Sequence, residues 1–571
     1  MPTEYPVQRA AFASVLLIGL SPFYLVVRGF FTRSYLNNWD FQIYISLFVS
    51  IAMLVAGFTV KKDRLKVYQF RLKSSLLILP SLLGLVVVYV VELMLGKRSI
   101  GDAVAWIASG DSKNHLVNGV EITQYGFLDP STFLTQPVSS PTFLSMVLSQ
   151  GGSSFATDAL TLSYQMQVYA FVWAVLIGIL GVTFAAMSEI IWSKFSPENS
   201  STPVSLIMIS SLVPLFSFIV GPALFDGFFT AIFGISTVVT FTVWFIGSFD
   251  RQKFSKVFIF VGILLFASTL MSWMFISILT LPMLGIGIRS QLRIIFTKHV
   301  LIDFLIAIFS VTFVGAIHLS EFGQSFIYQA KLALTANGAV TTSNPNLYIA
   351  ALAALGLISV VMVPQKVNFK KVMLAIAAIH LVSLLFFKSF SNLGVLSWNY
   401  YLLKYQWILF SGLISIFVSL LFVKMYLATA KNNPLKTLTV LVALSIVFLI
   451  SESVVSTNKI WQKIWSGWEN PRSSILNVAL EQQIDYKNPT MFFHYGYGGD
   501  ATLANFWMNA FANPVEPIKG WNYTIDTLGN PQQLCDVNAY YPTLNVITQD
   551  PNLEIELSKI CPNENFNIKV E

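Results

Sequence analysis

Repeated apolar runs constrain this chain more than any other feature. Each run is roughly 17–25 residues long, which is enough to cross a bilayer as an α-helix. Only 11% of the 571 residues are charged and 55% are hydrophobic, whereas a soluble domain carries about 25% charged residues. The sequence therefore predicts an all-α polytopic membrane protein.

The length criterion predicts about thirteen transmembrane helices. The run 257–288 is too long for one helix and is expected to hold two short ones. The first run is too long for a signal peptide and lacks a small-residue cleavage site, so we expect it to be retained as a helix. The predicted spans are 11–31, 41–60, 75–95, 166–190, 204–225, 227–247, two within 257–288, 300–317, 347–363, 372–387, 406–423 and 437–452.

The basic residues predict the orientation. They produce a net charge of +7, and they cluster in short loops that all fall on one side when 257–288 counts as two spans. By the positive-inside rule that side is cytoplasmic, together with the amino terminus. Because the charge has this explanation, nucleic acid is not an expected partner. The prediction is a multi-pass protein of the plasma membrane.

Three larger polar pieces would then face outward: the loops 97–165 and 318–346 of a transmembrane domain 1–452, and the tail 453–571. In the tail, strands at 490–495 and 544–548 and helices at 501–511 and 552–560 predict a small extracytoplasmic α/β domain. The only cysteines, Cys535 and Cys561, are predicted to form a disulfide across a strand–helix unit. Two buried free thiols are the alternative.

A polar island at 110–115 is the strongest candidate for chemistry. Asp111 can act as a general base, and Lys113, Asn114 and His115 can position a phosphate or an acceptor. A helix over 111–124 would put Asp111 and His115 on one face. Two alternatives stay open. Asp111 can simply cap that helix, or Asp111, His115 and Glu121 can hold a divalent metal, although their spacing matches no tight ligand motif.

Other polar residues are weaker candidates for the same cavity. Asp226 falls in a very short outward turn, and His318 opens the second outward loop. The aromatic residues around Lys404, from Trp398 to Tyr405, favour an interfacial belt over stacking on a sugar. Gly496–Asp500 is better explained as a tight turn than as an anion site. Because the sequence contains no Walker loop, ATP-driven transport has no support.

The many spans and the acidic residue in an early outward loop resemble the GT-C class of membrane glycosyltransferases. The segment 109–115, the sequence Pro-Val-Ser-Ser-Pro at 137–141, and the tail from 546–551 through Cys561 and Pro562 resemble actinobacterial cell-envelope proteins of this type. The resemblance implies a polyprenyl-phosphate-linked sugar donor. It also implies that Asp111 is the catalytic base and that the donor phosphate binds close by.

The leading hypothesis is a glycosyltransferase that acts on the outer face of the membrane, with a cell-envelope glycan, lipid or protein as acceptor. Asp111 would be the base, and the binding residues would be Lys113, Asn114, His115, Glu121, Asp226 and His318. No cofactor is certain, and a divalent metal is possible. A transporter or flippase of lipid-linked saccharides, which would have internal repeats and broken helices, is one alternative. A non-catalytic envelope scaffold is the other.

Overall fold

The computed structural model describes about half of the chain. The residues it describes are 6–22, 107, 111–125, 137–149, 158–196, 202–215, 217–249, 256–289, 345–363, 367–389, 399–430, 490–493, 531–540, 544–548 and 550–570. The predicted spans 41–60, 75–95, 300–317 and 437–452 lie outside these residues. So do residues 318–344 of the predicted loop, the tail helix 501–511 and the Gly496–Asp500 turn.

The described part is a helical bundle with a small sheet. The helices of its first half are α1 (Pro6–Gly19), α2 (Ser112–Tyr125), α3 (Ser139–Leu148), α4 (Ala159–Phe195), α5 (Val204–Leu212), α6 (Ser217–Asp226) and α7 (Phe229–Ser248). Those that follow are α8 (Lys256–Ser272), α9 (Ser277–Arg289), α10 (Pro345–Met362), α11 (Val367–Ser389) and α12 (Tyr400–Ala430).

Four described helices are long and apolar enough to cross a membrane. They are Ala159–Phe195, Phe229–Ser248, Phe369–Ser389 and Tyr400–Leu427. The spans of α4 and α7 are 89% and 100% buried within the protein, whereas that of α11 is only 39% buried. The remaining surface of α11 presents large apolar side chains such as Leu374, Val382 and Leu385. The bundle therefore has a buried centre and an apolar outer face, as a membrane protein requires.

Two apolar runs are each divided into two helices. The run 257–288 is divided between α8 and α9, with a 3-10 turn at Met274–Ile276, so the predicted split is confirmed. The prediction of one helix over 204–225 is wrong, because α5 and α6 are separated by the 3-10 turn Val213–Leu215. Pro214 lies in that turn, and a proline cannot donate the hydrogen bond that a continuous helix needs.

Small hydroxyl residues join the buried helices. The Ser188 hydroxyl of α4 lies 2.6 Å from the Ser210 hydroxyl of α5 and donates to the Ser419 hydroxyl of α12 at 2.8 Å. Such contacts need the helices to approach closely, which small residues permit. These contacts hold α4 at the centre of the bundle.

Hydrogen bonds distinguish the two ends of the bundle. At one end, the N–H of Gln8 in α1 donates to the Glu189 carboxylate of α4 at 2.8 Å. At the other end, the Tyr169 hydroxyl of α4 donates to the Ser112 carbonyl of α2 at 3.0 Å. Twenty residues separate Tyr169 from Glu189, and at 1.5 Å per residue they lie about 30 Å apart along α4. That distance matches the thickness of a bilayer core.

The tail contains a parallel sheet of three short strands in the order β1 (Thr490–Phe493), β2 (Asn545–Thr548) and β3 (Asn567–Val570). α13 (Pro531–Tyr540) precedes β2, and α14 (Leu553–Ile560) connects β2 to β3. The strands predicted at 490–495 and 544–548 and the helix predicted at 552–560 are therefore confirmed. The sequence reading missed α13 and β3.

The predicted disulfide between Cys535 and Cys561 is present. Its place differs from the prediction, because Cys535 lies in α13 and Cys561 directly follows α14. The bond therefore joins two helices rather than a strand and a helix. Leu534, Leu544, Val546 and Leu553 pack around it in a small apolar core.

Candidate functional site

A tight turn between α6 and α7 organises the candidate site. α6 ends at Asp226, Gly227 has φ 72°, and α7 begins at Phe229. The Phe228 N–H donates to the Ala223 carbonyl at 2.8 Å, which is the hydrogen bond of a Schellman helix end. Glycine is favoured at its left-handed position because it has no Cβ. The turn places Phe228 and Phe229 directly after Gly227, beside Asp226.

Hydrogen bonds of Asp111 connect the end of α6, the start of α2 and the start of α12. Its N–H donates to the Asp226 carbonyl at 3.0 Å, and its own carbonyl accepts the Asn114 N–H of α2 at 3.0 Å. The Oδ2 atom of its carboxylate accepts a short hydrogen bond from the Tyr400 hydroxyl at the start of α12. Asp111 directly precedes α2, as the capping alternative requires. Its carboxylate nevertheless binds a distant helix, which capping alone does not explain.

Lys404 lies one turn further along α12 than Tyr400, on the same face. The side chain is only 7% exposed. Its ammonium lies 4.0 Å from the centroid of the Phe228 ring and 5.6 Å from that of Tyr400, in the geometry of a cation–π contact. The carboxylates of Asp111 and Asp226 both act electrostatically on this ammonium. Two acidic groups and one basic group are thus gathered at one end of the bundle.

His115 is buried beside the same turn. Its ring centroid lies 5.8 Å from that of Phe229, and neither ring nitrogen has a hydrogen-bond partner among the described residues. Burial, and secondly the positive charge of Lys404, lower the pKa of His115 to about 3. The imidazole is therefore neutral near pH 7 and contributes no positive charge of its own to the site. The buried cation at this position is Lys404.

The other predicted residues are only partly brought together. Asn114 is exposed, and Glu121 is half-buried about two turns further along α2. Lys113 belongs to α2, but only its backbone is described, and His318 lies outside the described residues. The ligand atoms of Asp111, His115 and Glu121 do not come within 4.8 Å of one another. Within the described ranges, only Cys535, Cys561 and Glu564 do so, and these cysteines are disulfide-bonded.

Tyr400 and Lys404 are not among the site residues that the sequence predicts, because their place before a long apolar run favours an aromatic belt. The signal that could have identified them is the lysine itself. A lysine inside an apolar helix is costly unless a partner or a polar cavity is present, and Tyr400 precedes it by four residues.

No family model, curated protein or solved structure matches the chain. The site is therefore interpreted from its own geometry.

Proposed function

We propose that this chain is a membrane glycosyltransferase. It transfers a sugar from a polyprenyl-phosphate-linked donor to a hydroxyl of a cell-envelope acceptor, at the outer face of the plasma membrane. The observation that carries the proposal is half-buried Asp111 at one end of an apolar bundle, whose backbone N–H donates to the Asp226 carbonyl and whose carboxylate accepts the Tyr400 hydroxyl. There it can meet a substrate whose lipid part stays in the membrane.

The reaction needs one base and one leaving group. Asp111 accepts the proton of the acceptor hydroxyl as that oxygen forms a bond to the anomeric carbon of the donor sugar. The bond between the anomeric carbon and the phosphate oxygen breaks, and its electron pair leaves with the polyprenyl phosphate. A hydroxyl already donates to the Asp111 carboxylate, since Tyr400 does so. An acceptor hydroxyl at that position would have the geometry for proton transfer.

Replacing Asp111 by asparagine tests the proposal. Asn keeps the size of the side chain but is not a base, so envelope glycan made by the protein should fall by about 100-fold or more. The measurement is the envelope glycan composition of cells whose only copy carries the variant, at matched protein abundance. Unchanged glycan in Asp111→Asn cells would exclude the catalytic role. Lost glycan at normal abundance would exclude a pure scaffold.

Asp158 provides a matched control. It is also an aspartate at the start of a helix, but its exposed carboxylate accepts the Thr161 N–H at 2.7 Å, as an ordinary cap does. Asparagine is an equally good cap residue. Asp158→Asn should therefore leave glycan composition unchanged, and a loss like that of Asp111→Asn would mean that the assay reports helix capping.

Transport of a lipid-linked saccharide is the second candidate. Buried ionisable residues inside candidate spans, here Glu189 and Lys404, occur in transport pathways. Movement of a labelled polyprenyl-phosphate sugar across vesicles containing the full chain separates the two functions. Transport predicts movement without a new glycosidic bond, whereas transfer predicts a new product.

A further inference from the structure

The first turn of α2 contains buried hydrogen-bonding groups without a partner. The Ser112 hydroxyl is fully buried, and His115, one turn later on the same face, is 8% exposed. Neither the hydroxyl nor the two imidazole nitrogens has a hydrogen-bond partner among the described residues. Buried polar groups are normally hydrogen-bonded, and each exception needs an explanation. A bound ligand is one such explanation.

Lys404 brings a positive charge to this turn. After burial, its charge is the second cause of the low pKa of the imidazole, so Lys404 contributes positive potential there. Within the described part of the chain, the contacts of the Lys404 ammonium are with the rings of Phe228 and Tyr400. An ammonium that contacts rings through its charge can also donate hydrogen bonds to oxygen acceptors.

The helix itself adds to the positive potential. The N–H groups of the first turn of a helix have no partner within the helix, and the helix dipole places partial positive charge there. Ser112 is the first residue of α2. Its position is fixed by the Tyr169 hydroxyl, which donates to the Ser112 carbonyl at 3.0 Å. The imidazole at this helix N-terminus contacts Phe229, and the ammonium contacts the neighbouring ring of Phe228, so the two groups lie on the same turn.

We propose that this region, made of Ser112, His115 and Lys404, binds a phosphate group. A phosphate offers several strong acceptor oxygens, and it forms charge-assisted hydrogen bonds with a lysine. The neutral imidazole donates one hydrogen bond through its N–H, and the Ser112 hydroxyl donates another. The subsite rests on the proposed function only for the identity of the molecule that carries the phosphate. Under that function, this molecule is the lipid-linked sugar donor.

The test measures phosphate binding by the full-length protein in nanodiscs of phosphatidylcholine. One arm adds inorganic phosphate, and a second incorporates polyprenyl phosphate into the nanodisc. The readout in both is the shift of the melting temperature. Lys404→Gln should weaken binding by about 10- to 100-fold, the loss expected for a hydrogen bond to a charged group. Ser112→Ala is a second variant, which removes one donor and keeps the charge.

Lys424→Gln is the matched control, because Lys424 is exposed and lies near the other end of α12. It should bind phosphate as the wild-type protein does. Binding that depends on Lys404 in both arms supports the subsite, and binding in the second arm alone identifies the source as a membrane lipid. If phosphate binds the wild-type protein in neither arm, or if Lys404→Gln and Ser112→Ala both bind normally, the subsite does not exist.

The Asp111→Asn variant separates this proposal from the proposed function. It should still bind phosphate while losing glycosyl transfer, because Asp111 is the base and not a phosphate ligand. Phosphate binding that depends on Lys404, together with unchanged glycan in Asp111→Asn cells, would keep the subsite and reject the glycosyltransferase. Lost glycan in Asp111→Asn cells, together with no phosphate binding that depends on Lys404, would reject only the subsite.

Discussion

The two ends of the bundle each hold a carboxylate, and the two carboxylates have different partners. Glu189 is 2% exposed and accepts the Gln8 N–H in the first turn of α1. Asp111 is half-buried, and the partner of its carboxylate is a side-chain hydroxyl, that of Tyr400. Backbone N–H groups cannot move without unwinding a helix, whereas a tyrosine hydroxyl can be displaced by another hydroxyl.

This difference indicates that Glu189 has a structural role and that Asp111 can act as a base. Glu189 occupies the N-terminus of α1, where it accepts an N–H that has no acceptor within the helix. It therefore fixes α1 to α4. Asp111 is fixed through its backbone, by the Asp226 carbonyl, and this leaves its carboxylate available for exchange of partners.

The largest effect should come from removing the structural carboxylate. Glu189→Leu leaves the Gln8 N–H buried without an acceptor, which should lower the free energy of unfolding by about 1–3 kcal/mol. Glu189→Gln keeps an acceptor oxygen and should lose less. Unfolding in denaturing detergent measures both, and activity per folded molecule should stay at the wild-type level. A loss of activity in stable Glu189→Gln protein would show that Glu189 is not only a structural residue.

A smaller effect concerns the pH dependence of stability. Folding lowers the pKa of His115 to about 3, below the value of about 6.5 for an unfolded chain. The unfolded state therefore binds a proton more readily, so wild-type stability falls as the pH drops from about 6.5 toward 3. Between pH 6.5 and 5 the wild-type protein should lose about 1–2 kcal/mol more than His115→Gln.

The control for the pH experiment is Asn114→Gln, which changes an exposed residue of the same helix. Its stability should follow the wild-type pH profile. If His115→Gln also follows that profile, the imidazole is not held neutral in the folded protein.

The smallest effect should come from Tyr400→Phe. It removes the hydroxyl that orients the Asp111 carboxylate but keeps the ring beside Phe228 and Lys404. We expect kcat to fall by about 3- to 10-fold, the worth of one hydrogen bond, with little change in stability. A fall as large as that of Asp111→Asn would mean that Tyr400 itself takes part in the proton transfer.

Periodicity and length were enough to predict much of the described fold. Apolar runs predicted α4, α7, α11 and α12. The excess length of 257–288 predicted a break, and the structure places it at Trp273. The strands at 490–493 and 545–548 followed from short runs rich in β-formers. Pro214 could have corrected the 204–225 prediction, because the interruption lies at that residue. α13 has mixed polarity and no apolar stripe of its own, so no pattern marked it.

The candidate site was harder to predict, because its members are distant in sequence. Asp111 and Asp226 were both identified as polar residues near a membrane end, and they do meet. That Tyr400 would reach Asp111 across 289 positions could not be read from spacing. Local patterns report only neighbours within a turn or two of a helix.

The sequence by itself determined that the described part of the chain is largely apolar helix, because hydrophobicity and run length are local properties that a bilayer-length helix directly requires. It also singled out Asp111 and the two cysteines. Only the tertiary structure decided which groups surround Asp111, and that His115 is neutral while Lys404 is the buried cation beside it. Such differences depend on burial and on charges from other helices, so they exist only once the helices have packed together.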